Sequence, residues 1–335
     1  MKHILIGGDG FVGRHLAPKL LADGEEVIVA DIARSDLAHY ADATFIEIDV
    51  TKPETLARIP FGADDVVHNL AAKMLSPIQK RADRYDFFYP VNFFGAKSVT
   101  EAMRAAGAHK FIQFTTDMIY GHTVQSPQTE DHPKSPLGHY GASKLAIEEH
   151  CETLRAEGWN VTIMRPRLII GPGRLGILTK LFKLIDLNLP VPMIGSGKNP
   201  YQFVSVYDCA EASRLAAQHG CPNADYNLGS KDPPSVRALL GDLIRTAGSR
   251  SILVPTPAFA VKGTLALLDR LNIPLMDPEQ YLIADEFCVR DTTAIERDLG
   301  WHAAHDDADM LRAAYAEYRA AKTGADVPVP NPQPR

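Results

Sequence analysis

The sequence predicts an α/β fold in which a doubly wound parallel sheet is followed by a smaller, mixed α/β substrate unit. Three observations support this prediction. The first apolar run, Lys2–Ile6, leads directly into a glycine-rich loop. Helical stretches of about ten or more residues separate it from later short apolar runs, which is the spacing that parallel strands require. Small or polar residues follow each run, and parallel sheets of this kind bind ligands at the carboxyl ends of their strands.

The glycine-rich loop has its glycines at positions 7, 10 and 13 and precedes an amphipathic helix with Leu16, Leu20 and Leu21 on one face. Because glycine has no Cβ atom, the backbone N–H groups and the start of the helix can approach a pyrophosphate closely. The strand, loop and helix together are typical of a Rossmann-type dinucleotide site.

The second apolar run, Glu26–Ala30, is followed by an acid, Asp31, which lies about 20 residues beyond the loop. An acid there accepts hydrogen bonds from an adenosine ribose and repels a 2′-phosphate. The pattern favours NAD over NADP. Arg34 lies three residues later and is the alternative, since it offers a charge to such a phosphate.

Later runs continue the sheet and place further small or polar residues at its ligand edge. The predicted strands and the residues that close them are 44–48 with Asp49 and Val50, 65–70 with Ala71 and Ala72, 111–114 with Thr115, Thr116 and Asp117, and 159–164 with Arg165 and Pro166.

Tyr140 and Lys144 stand four residues apart and therefore share one face of a predicted helix. A tyrosine titrates near pH ~10 and is a poor base at neutral pH, but a neighbouring ammonium favours its phenolate. The spacing alone is common in helices. Its position after the predicted dinucleotide site makes Tyr140 a candidate general acid/base, with a pKa that we expect Lys144 to lower.

In this order the motifs resemble the extended short-chain dehydrogenase/reductase superfamily, in its NAD-dependent epimerase/dehydratase branch, over roughly residues 1 to 318. The motifs are Gly7-x-x-Gly10-x-x-Gly13, Asp31, Asp49-Val50, Asn69-Leu70-Ala71-Ala72, Val91-Asn92-x-x-Gly95, Thr116-x-x-Ile119-Tyr120-Gly121, Tyr140-x-x-x-Lys144, Arg165-Pro166, Gly171-Pro172-Gly173, Phe203-Val204-x-Val206-x-Asp208, Tyr226-Asn227-Leu228-Gly229 and Leu299-Gly300-Trp301.

The resemblance implies a catalytic set of Thr116, Tyr140 and Lys144 with NAD as cofactor. Thr116 would bond the reacting substrate oxygen, Tyr140 would move its proton, and Lys144 would hold the nicotinamide ribose. The cofactor-binding residues that it implies are Gly7, Gly10, Phe11, Val12, Gly13, Asp31, Asp49, Val50, Leu70, Ala71, Ala72, Tyr140, Lys144 and Pro166.

One departure concerns the segment Thr116-Asp117-Met118. It resembles the Thr-Asp-Glu triplet of sugar-nucleotide 4,6-dehydratases, but Met118 stands in place of the acid and cannot transfer a proton. The sequence therefore argues against a 4,6-dehydratase. Asp117 is either an acid or hydroxyl-binding group for the substrate, or a solvated or capping carboxylate.

A second departure concerns the phosphate grip. Sugar-nucleotide epimerases carry an arginine just before the strand at Phe203, where this chain has Tyr201 and Gln202. Lys198 or Arg290 could substitute for it. The loop 195–199 instead resembles 3β-hydroxysteroid dehydrogenase-like members. Arg167 either contacts an anionic or carbonyl group of the substrate or pairs with a surface acid. Asp117, Met118, Arg167 and Tyr201 are the candidate substrate residues.

We predict three parts: a dinucleotide-binding domain at 1–170 with segments at about 200–230 returning to it, a substrate domain at 171–199 and 231–320, and a proline-rich tail at 321–335. Within the substrate domain, residues 259–271 have helical apolar spacing. This helix either packs on the small domain or forms an apolar wall or lid over the substrate.

The composition of the chain argues against several classes of binding partner. The chain has 335 residues, a net charge of -6 and no basic run, which argues against nucleic acid. No apolar stretch is long enough to span a membrane. The four cysteines show no metal-ligand spacing, and no secretory segment precedes them, so we expect reduced thiols in a cytoplasmic protein and no metal. By resemblance we expect a homodimer formed through the helices at 92–106 and 140–155.

Three functional hypotheses remain. The first is an NAD-dependent oxidoreductase or epimerase that acts on a secondary alcohol of a sugar or nucleotide sugar through a keto intermediate. The second is a 3β-hydroxysteroid dehydrogenase-like enzyme or ketone reductase for an apolar alcohol. The third, a non-catalytic NAD sensor, has no need of Thr116, Tyr140 and Lys144 together.

Overall fold

The computed structural model describes residues 1–35, 40–176 and 178–323. Most of the predicted proline-rich tail lies outside these residues. Residues 321–323, which we assigned to the tail, instead end the last helix, Asp307–Thr323. The alternating prolines begin only at Pro328 and so do not interrupt that helix.

Seven strands form the central sheet, and four short strands form two pairs beside it. The strands are β1 Lys2–Ile6, β2 Glu26–Asp31, β3 Thr44–Glu47, β4 Val66–Asn69, β5 Lys110–Phe114, β6 Asn160–Pro166, β7 Leu168–Ile170, β8 Val191–Ile194, β9 Phe203–Ser205, β10 Ala224–Leu228 and β11 Leu253–Thr256.

The central sheet is parallel throughout and has the order β10-β6-β5-β4-β1-β2-β3. The strand order reverses between β1 and β4, and open sheets of this kind bind ligands in the crevice beyond that point. The predicted doubly wound parallel sheet is confirmed. Each strand predicted from an apolar run forms, with ends within two residues of the prediction.

The α-helices cover both faces of this sheet. They are α1 Gly13–Ala22, α2 Pro53–Leu56, α3 Arg84–Tyr89, α4 Ala96–Ala105, α5 His139–Ala156, α6 Leu178–Asp186, α7 Val206–Gln218, α8 Val236–Thr246, α9 Ala258–Arg270, α10 Pro278–Tyr281, α11 Thr293–Leu299 and α12 Asp307–Thr323.

Side-chain alternation along the strands builds two cores, because successive residues of a strand point to opposite faces. In β1, Ile4 and Ile6 pack in the core that contains residues of α4 and α5, whereas Leu5 packs with α1. A third core joins α6, α8 and α12 with the strand residue Phe203. The strand β10 brings residues 224–228 back to the central sheet. The division into two domains stays a prediction.

The helix expected at 92–106 is interrupted at its start. Residues Pro90–Gly95 form a π-helical turn, and the regular helix α4 begins only at Ala96. Proline has no N–H to donate to the preceding turn, which favours such an irregularity. Within the turn, Asn92 bonds the backbone N–H and carbonyl of Lys73 and the Ser143 hydroxyl. The turn therefore ties a loop at the ligand edge to α5.

The helix predicted at 259–271 is α9, and its apolar residues are half-buried or exposed. Phe259 is 83% exposed and Leu267 is 57% exposed, and the buried residue of the helix is Asp269. None of the residues of α9 lines the cavity described below. Of the two alternatives left open by the sequence, the apolar wall over the substrate is therefore not formed by α9.

Candidate active site

A cavity of about 500 Å³ lies at the carboxyl ends of the central strands, at the reversal of strand order. Most of the residues predicted for the cofactor and for catalysis line it. Those that do are Gly7, Gly10, Phe11, Val12, Asp31, Asp49, Val50, Leu70, Ala71, Ala72, Thr116, Tyr140, Lys144 and Pro166, and the predicted substrate residues Asp117, Met118 and Arg167 join them. Gly13 and Tyr201 do not line the cavity.

The glycine loop leaves no room for side chains. Gly7 has a φ of +74°, and a Cβ atom on it would lie 2.6 Å from the backbone nitrogen of Ala71. A Cβ on Gly10 would lie 2.9 Å from the Gly7 carbonyl oxygen, and one on Gly13 would overlap the Gly8 carbonyl. Gly13 thus serves the packing of α1 against the loop, while Gly7 and Gly10 keep a backbone cradle open. Such a cradle fits a dinucleotide pyrophosphate.

Asp31 is held at the end of β2 by two backbone groups. Its carboxylate accepts hydrogen bonds from the Asp9 N–H at 3.0 Å and from the Ile32 N–H at 2.7 Å. Burial raises its pKa against the effect of these bonds. Arg34, the alternative contact for a 2′-phosphate, is exposed outside the cavity, with its guanidinium 5.8 Å from the centre of the Tyr40 ring.

The three predicted catalytic side chains are buried at one end of the cavity. The Thr116 hydroxyl accepts a hydrogen bond from the Met118 N–H at 3.2 Å and donates to Asp117 at 3.3 Å. The Tyr140 hydroxyl donates to the Met74 sulfur at 3.4 Å, and the Lys144 ammonium donates to the Phe114 carbonyl at 3.1 Å.

The expected lowering of the Tyr140 pKa by Lys144 is wrong for the chain's own groups. Burial raises the pKa of Tyr140 well above its ordinary value. A hydrogen bond with Thr116 lowers this pKa, as does Arg174, but neither offsets the burial. Burial also lowers the pKa of Lys144 to about 8. Removing a phenolate from water costs more than these neighbours recover.

Asp117 is neither a solvated carboxylate nor a free acid. It is 2% exposed, and it accepts hydrogen bonds from Arg167 at 2.6 Å and from Arg290 at 2.7 and 3.2 Å. Burial alone would raise its pKa, but the two guanidinium groups outweigh burial and hold the pKa of Asp117 below its ordinary value. The expectations of a solvated carboxylate and of a proton donor are therefore wrong, because Asp117 is an ionised partner of two arginines. The expectation that Asp117 binds a substrate hydroxyl stays a prediction.

The residues near the expected phosphate grip have other partners. Arg167 pairs with the buried Asp117 and not with a surface acid, and its guanidinium lies 5.6 Å from the centre of the Tyr201 ring. Gln202 donates to the Ser230 carbonyl at 2.8 Å and accepts from the Arg290 N–H at 2.7 Å. Gln202 therefore positions the Arg290 backbone.

Other residues at this end were not predicted from the sequence. Lys73, Met74, Leu75, Arg174 and Gln280 also line the cavity. The buried Glu279 lies behind them and bonds the backbone of Tyr140. The Asp-Pro pair at 277–278 is a sequence signal for the start of α10, where the Asp277 side chain caps the helix. No local signal indicates that this short helix contacts α5.

Within the described residues, no group of three or more His, Cys, Asp or Glu side chains is placed to hold a metal ion. The four cysteines are buried and free. None of the helices in the described ranges is both long and apolar enough to cross a membrane.

Known proteins resemble this chain in sequence and in structure. The uncharacterized protein y4nG of Sinorhizobium fredii is 30% identical over 320 residues, which cover 95% of this chain and 78% of that protein. A ketoreductase of a farnesyl-dihydroquinoline oxide from Stigmatella aurantiaca is 25% identical, over 94% of this chain and 96% of that protein. Among solved structures, the UDP-glucose 4-epimerase of Thermotoga maritima has a TM-score of 0.76 and 23% identity, over 96% of this chain and 100% of that one.

Residues 3–229, more than half of the chain, match the NAD-dependent epimerase/dehydratase family. This match agrees with the parallel sheet, the glycine cradle and the shared cavity. The chain therefore belongs to the NAD-dependent epimerase/dehydratase family, and its cofactor is NAD.

Proposed function

We propose that this protein is an NAD-dependent oxidoreductase or epimerase that acts on a secondary alcohol of a sugar or nucleotide sugar through a keto intermediate. The observation that carries the proposal is the convergence of Thr116, Tyr140 and Lys144 with the glycine cradle and Asp31 on one cavity. A protein that only senses NAD has no need of a buried phenol, ammonium and hydroxyl at the same end of that cavity.

The cofactor would lie along the ligand edge of the sheet. Its pyrophosphate would meet the backbone of the glycine loop with Phe11 and Val12, and Asp31 would accept from the adenosine ribose hydroxyls. Asp49 and Val50 would contact the adenine, Leu70, Ala71 and Ala72 the middle of the dinucleotide, and Pro166 the nicotinamide end. The chemistry that bound NAD would supply there is the acceptance and return of a hydride at the substrate carbon.

The side chains of the protein would hold and move one proton. The Thr116 hydroxyl would bond the reacting oxygen, and the Tyr140 oxygen would take its proton as the hydroxyl becomes a carbonyl. The Lys144 ammonium would bond the nicotinamide ribose, and its charge together with that of the nicotinamide ring would favour the phenolate form of Tyr140. Because burial of Tyr140 opposes its phenolate form, the mechanism requires positive charges close to the Tyr140 hydroxyl.

The relatives support the sugar-nucleotide substrate in part. A UDP-glucose 4-epimerase of Mycolicibacterium smegmatis is 25% identical over 71% of this chain.

The residues near the expected phosphate grip favour the second candidate, a reductase of an apolar ketone. Gln202 replaces the expected arginine, Arg290 is tied to Asp117, and Lys198 is exposed. The Stigmatella aurantiaca ketoreductase, which matches nearly the whole chain, supports the same candidate.

We further propose that the protein is not a 4,6-dehydratase, although dehydratases are among its relatives at 26% identity. Eliminating water requires an acid and a base beside the substrate carbon. Met118 cannot supply a proton, and the two arginines keep Asp117 ionised. Both observations support the exclusion.

The test is a substrate panel on the purified protein. UDP-glucose and UDP-galactose are incubated with NAD and followed by proton NMR, and apolar ketones are incubated with NADH and followed by loss of nicotinamide absorbance. Interconversion of the two sugars supports the first candidate, and ketone-dependent NADH oxidation supports the second. NAD binding without turnover of any substrate would favour the sensor and contradict the proposal. A 4-keto-6-deoxy product would overturn the dehydratase exclusion.

A further inference from the structure

The helix that carries Tyr140 begins without a cap of its own. The N-cap residue of α5 is Gly138, which has no side chain to accept hydrogen bonds from the first turn. The first N–H groups of a helix have no partner within the helix and are usually bonded by the side chain of the N-cap residue. In α5 a residue 139 positions along the chain supplies this bond.

That residue is Glu279, at the second position of α10. Its Oε1 accepts from the Tyr140 N–H at 2.9 Å, and its Oε2 accepts from the Gly141 N–H at 2.8 Å. The side chain is deeply buried, since Glu279 is 2% exposed. One carboxylate therefore bonds the two positions of the first turn that an N-cap side chain ordinarily reaches.

Two glycines make room for this carboxylate. A Cβ atom on Gly138 would lie 2.5 Å from Oε1 of Glu279, and one on Gly141 would lie 2.7 Å from Oε2. The φ of Gly138 is −162°, an extended conformation that any residue adopts, so its backbone does not require glycine. The space taken by the Glu279 carboxylate is what requires glycine at this position.

Glu279 is in turn attached to a buried ion-pair cluster. Arg84 in α3 bonds both carboxylate oxygens of Asp269 in α9 and lies 3.4 Å from the Asp277 carboxylate. Asp277 accepts from the Glu279 N–H at 3.0 Å and so begins α10. Helices α3, α9 and α10 thereby meet at the start of the helix that carries the phenol.

We propose that Glu279 is a positioning residue of this active site, whose carboxyl group holds the first turn of α5 and, when ionised, opposes ionisation of the Tyr140 phenol. The inference rests on the proposed function of Tyr140 as the acid/base. It extends that function to a segment outside the family match, which ends at residue 229.

Burial and then Asp277 raise the pKa of Glu279 to about 8, while its bonds to the α5 backbone and Arg84 lower it. The Glu279 carboxyl group therefore carries its full negative charge only above that pH. Glu279 in turn raises the pKa of Tyr140. The charged, titratable and hydrogen-bonding groups that act on the pair are Arg84, Thr116, Asp117, Arg174 and Asp277, with Asp269 and His139 acting on Asp277.

The test uses the full chain without any substrate, so that a wrong substrate class cannot affect it. The protein is labelled with 3-fluorotyrosine, and the Tyr140 resonance is assigned by its loss in Tyr140→Phe. Its ¹⁹F shift is titrated with NAD present in the unaltered chain, in Glu279→Gln and in Asp307→Asn. Asp307 is the matched control, because it is also a buried acid with a raised pKa but lies outside the cavity.

Glu279→Gln removes the charge at nearly constant shape and leaves one acceptor oxygen for the two backbone N–H groups. The loss of the charge should lower the Tyr140 midpoint by about one pH unit. Asp307→Asn should leave it unchanged. An unchanged midpoint in Glu279→Gln, or an equal shift in both variants, would overturn the role of the charge.

Amide hydrogen exchange tests the anchor. Glu279→Ala should speed exchange of the Tyr140 and Gly141 amides by about tenfold or more, since both lose their acceptor. Gly138→Ala should do the same by displacing the carboxylate. Unchanged exchange in the folded variants would overturn the anchoring role. If Glu279→Ala does not fold, Gly138→Ala supplies the same readout.

Discussion

The two ends of the cavity are built in different ways. At the cofactor end, backbone atoms and short side chains from consecutive strand ends form the lining, as at Gly7, Asp31 and Ala71. At the substrate end, long side chains from distant segments meet, as where Asp117 pairs with Arg167. Behind the lining of this end lie the Arg84 cluster and the Glu279 anchor. The first end depends on local conformation, and the second depends on buried charges that stabilise one another across the chain.

This difference indicates which end of the cavity tolerates changes in sequence. A backbone cradle requires glycine at fixed positions, because a side chain there would overlap neighbouring backbone atoms and distort the loop. A buried charge cluster requires only that each charge keep a partner, so its residues can differ between relatives while the fold stays the same. Four variants test the comparison.

Breaking the buried cluster should have the largest effect. Arg84→Ala leaves Asp269 and Asp277 without their cation and should lower the free energy of unfolding by about 3–5 kcal/mol. The matched control is Arg104→Ala, since Arg104 pairs with Glu157 at the surface and should contribute at most about 1 kcal/mol. Urea unfolding of both variants measures this. Equal losses of unfolding free energy in the two variants would show that the buried cluster stabilises the fold no more than a surface ion pair does.

Filling the cradle should affect both stability and the cofactor. Gly7→Ala places a methyl group against the Ala71 backbone and should weaken NAD binding strongly. Gly107→Ala is the control, because Gly107 has a φ of +75° but open space around it. Both variants should lose about 1–2 kcal/mol from the left-handed backbone conformation. Calorimetric titration should show the loss of NAD affinity in Gly7→Ala alone, and normal NAD binding there would refute the cradle.

The acid at the ribose position should discriminate between cofactors. Asp31→Ala removes a charged acceptor, and the affinity for NAD should fall by about tenfold or more. The affinity for NADP should fall less, because the repulsion of its phosphate is also removed. Calorimetry with each dinucleotide measures both values. A larger loss for NADP would contradict the assignment of NAD to this acid.

The buried acids should produce an effect that is small at each pH step and spread over several pH units, a pH dependence of stability. The pKa of Glu279 is raised from 4.5 to about 8 on folding, so the folded chain binds more protons in that range. Stability should therefore fall as the pH rises from about 4.5 to 8, by at most about 1.4 kcal/mol per pH unit for this group. Glu279→Gln should flatten this slope. Asp307→Asn should flatten it at lower pH, because the pKa of Asp307 is raised to about 7. Thermal unfolding across pH checks both, and a stability that rises with pH would contradict the sign.

The sequence predicts the cofactor end well because each of its motifs is local. A glycine spacing, a strand end or a pair on one helix face can be read within a few residues, and the sheet then brings these positions together. The substrate end could not be predicted in this way. The partners of Asp117 lie 50 and 173 residues away, and Glu279 lies 139 residues from Tyr140. Hydrophobic periodicity in the sequence does not predict contacts between residues so far apart. The sequence likewise does not predict the raised pKa of Tyr140, since the burial of this side chain depends on the whole fold.

The most direct test of the central claim is the Tyr140→Phe variant. We predict that its Kd for NAD equals that of the unaltered chain, while turnover of the substrate identified by the panel falls by about 10²–10⁴-fold. Tyr226→Phe is the control, since Tyr226 is a buried tyrosine that bonds Asp298 outside the cavity and should retain full activity. Turnover by Tyr140→Phe at the rate of the unaltered chain would contradict the account.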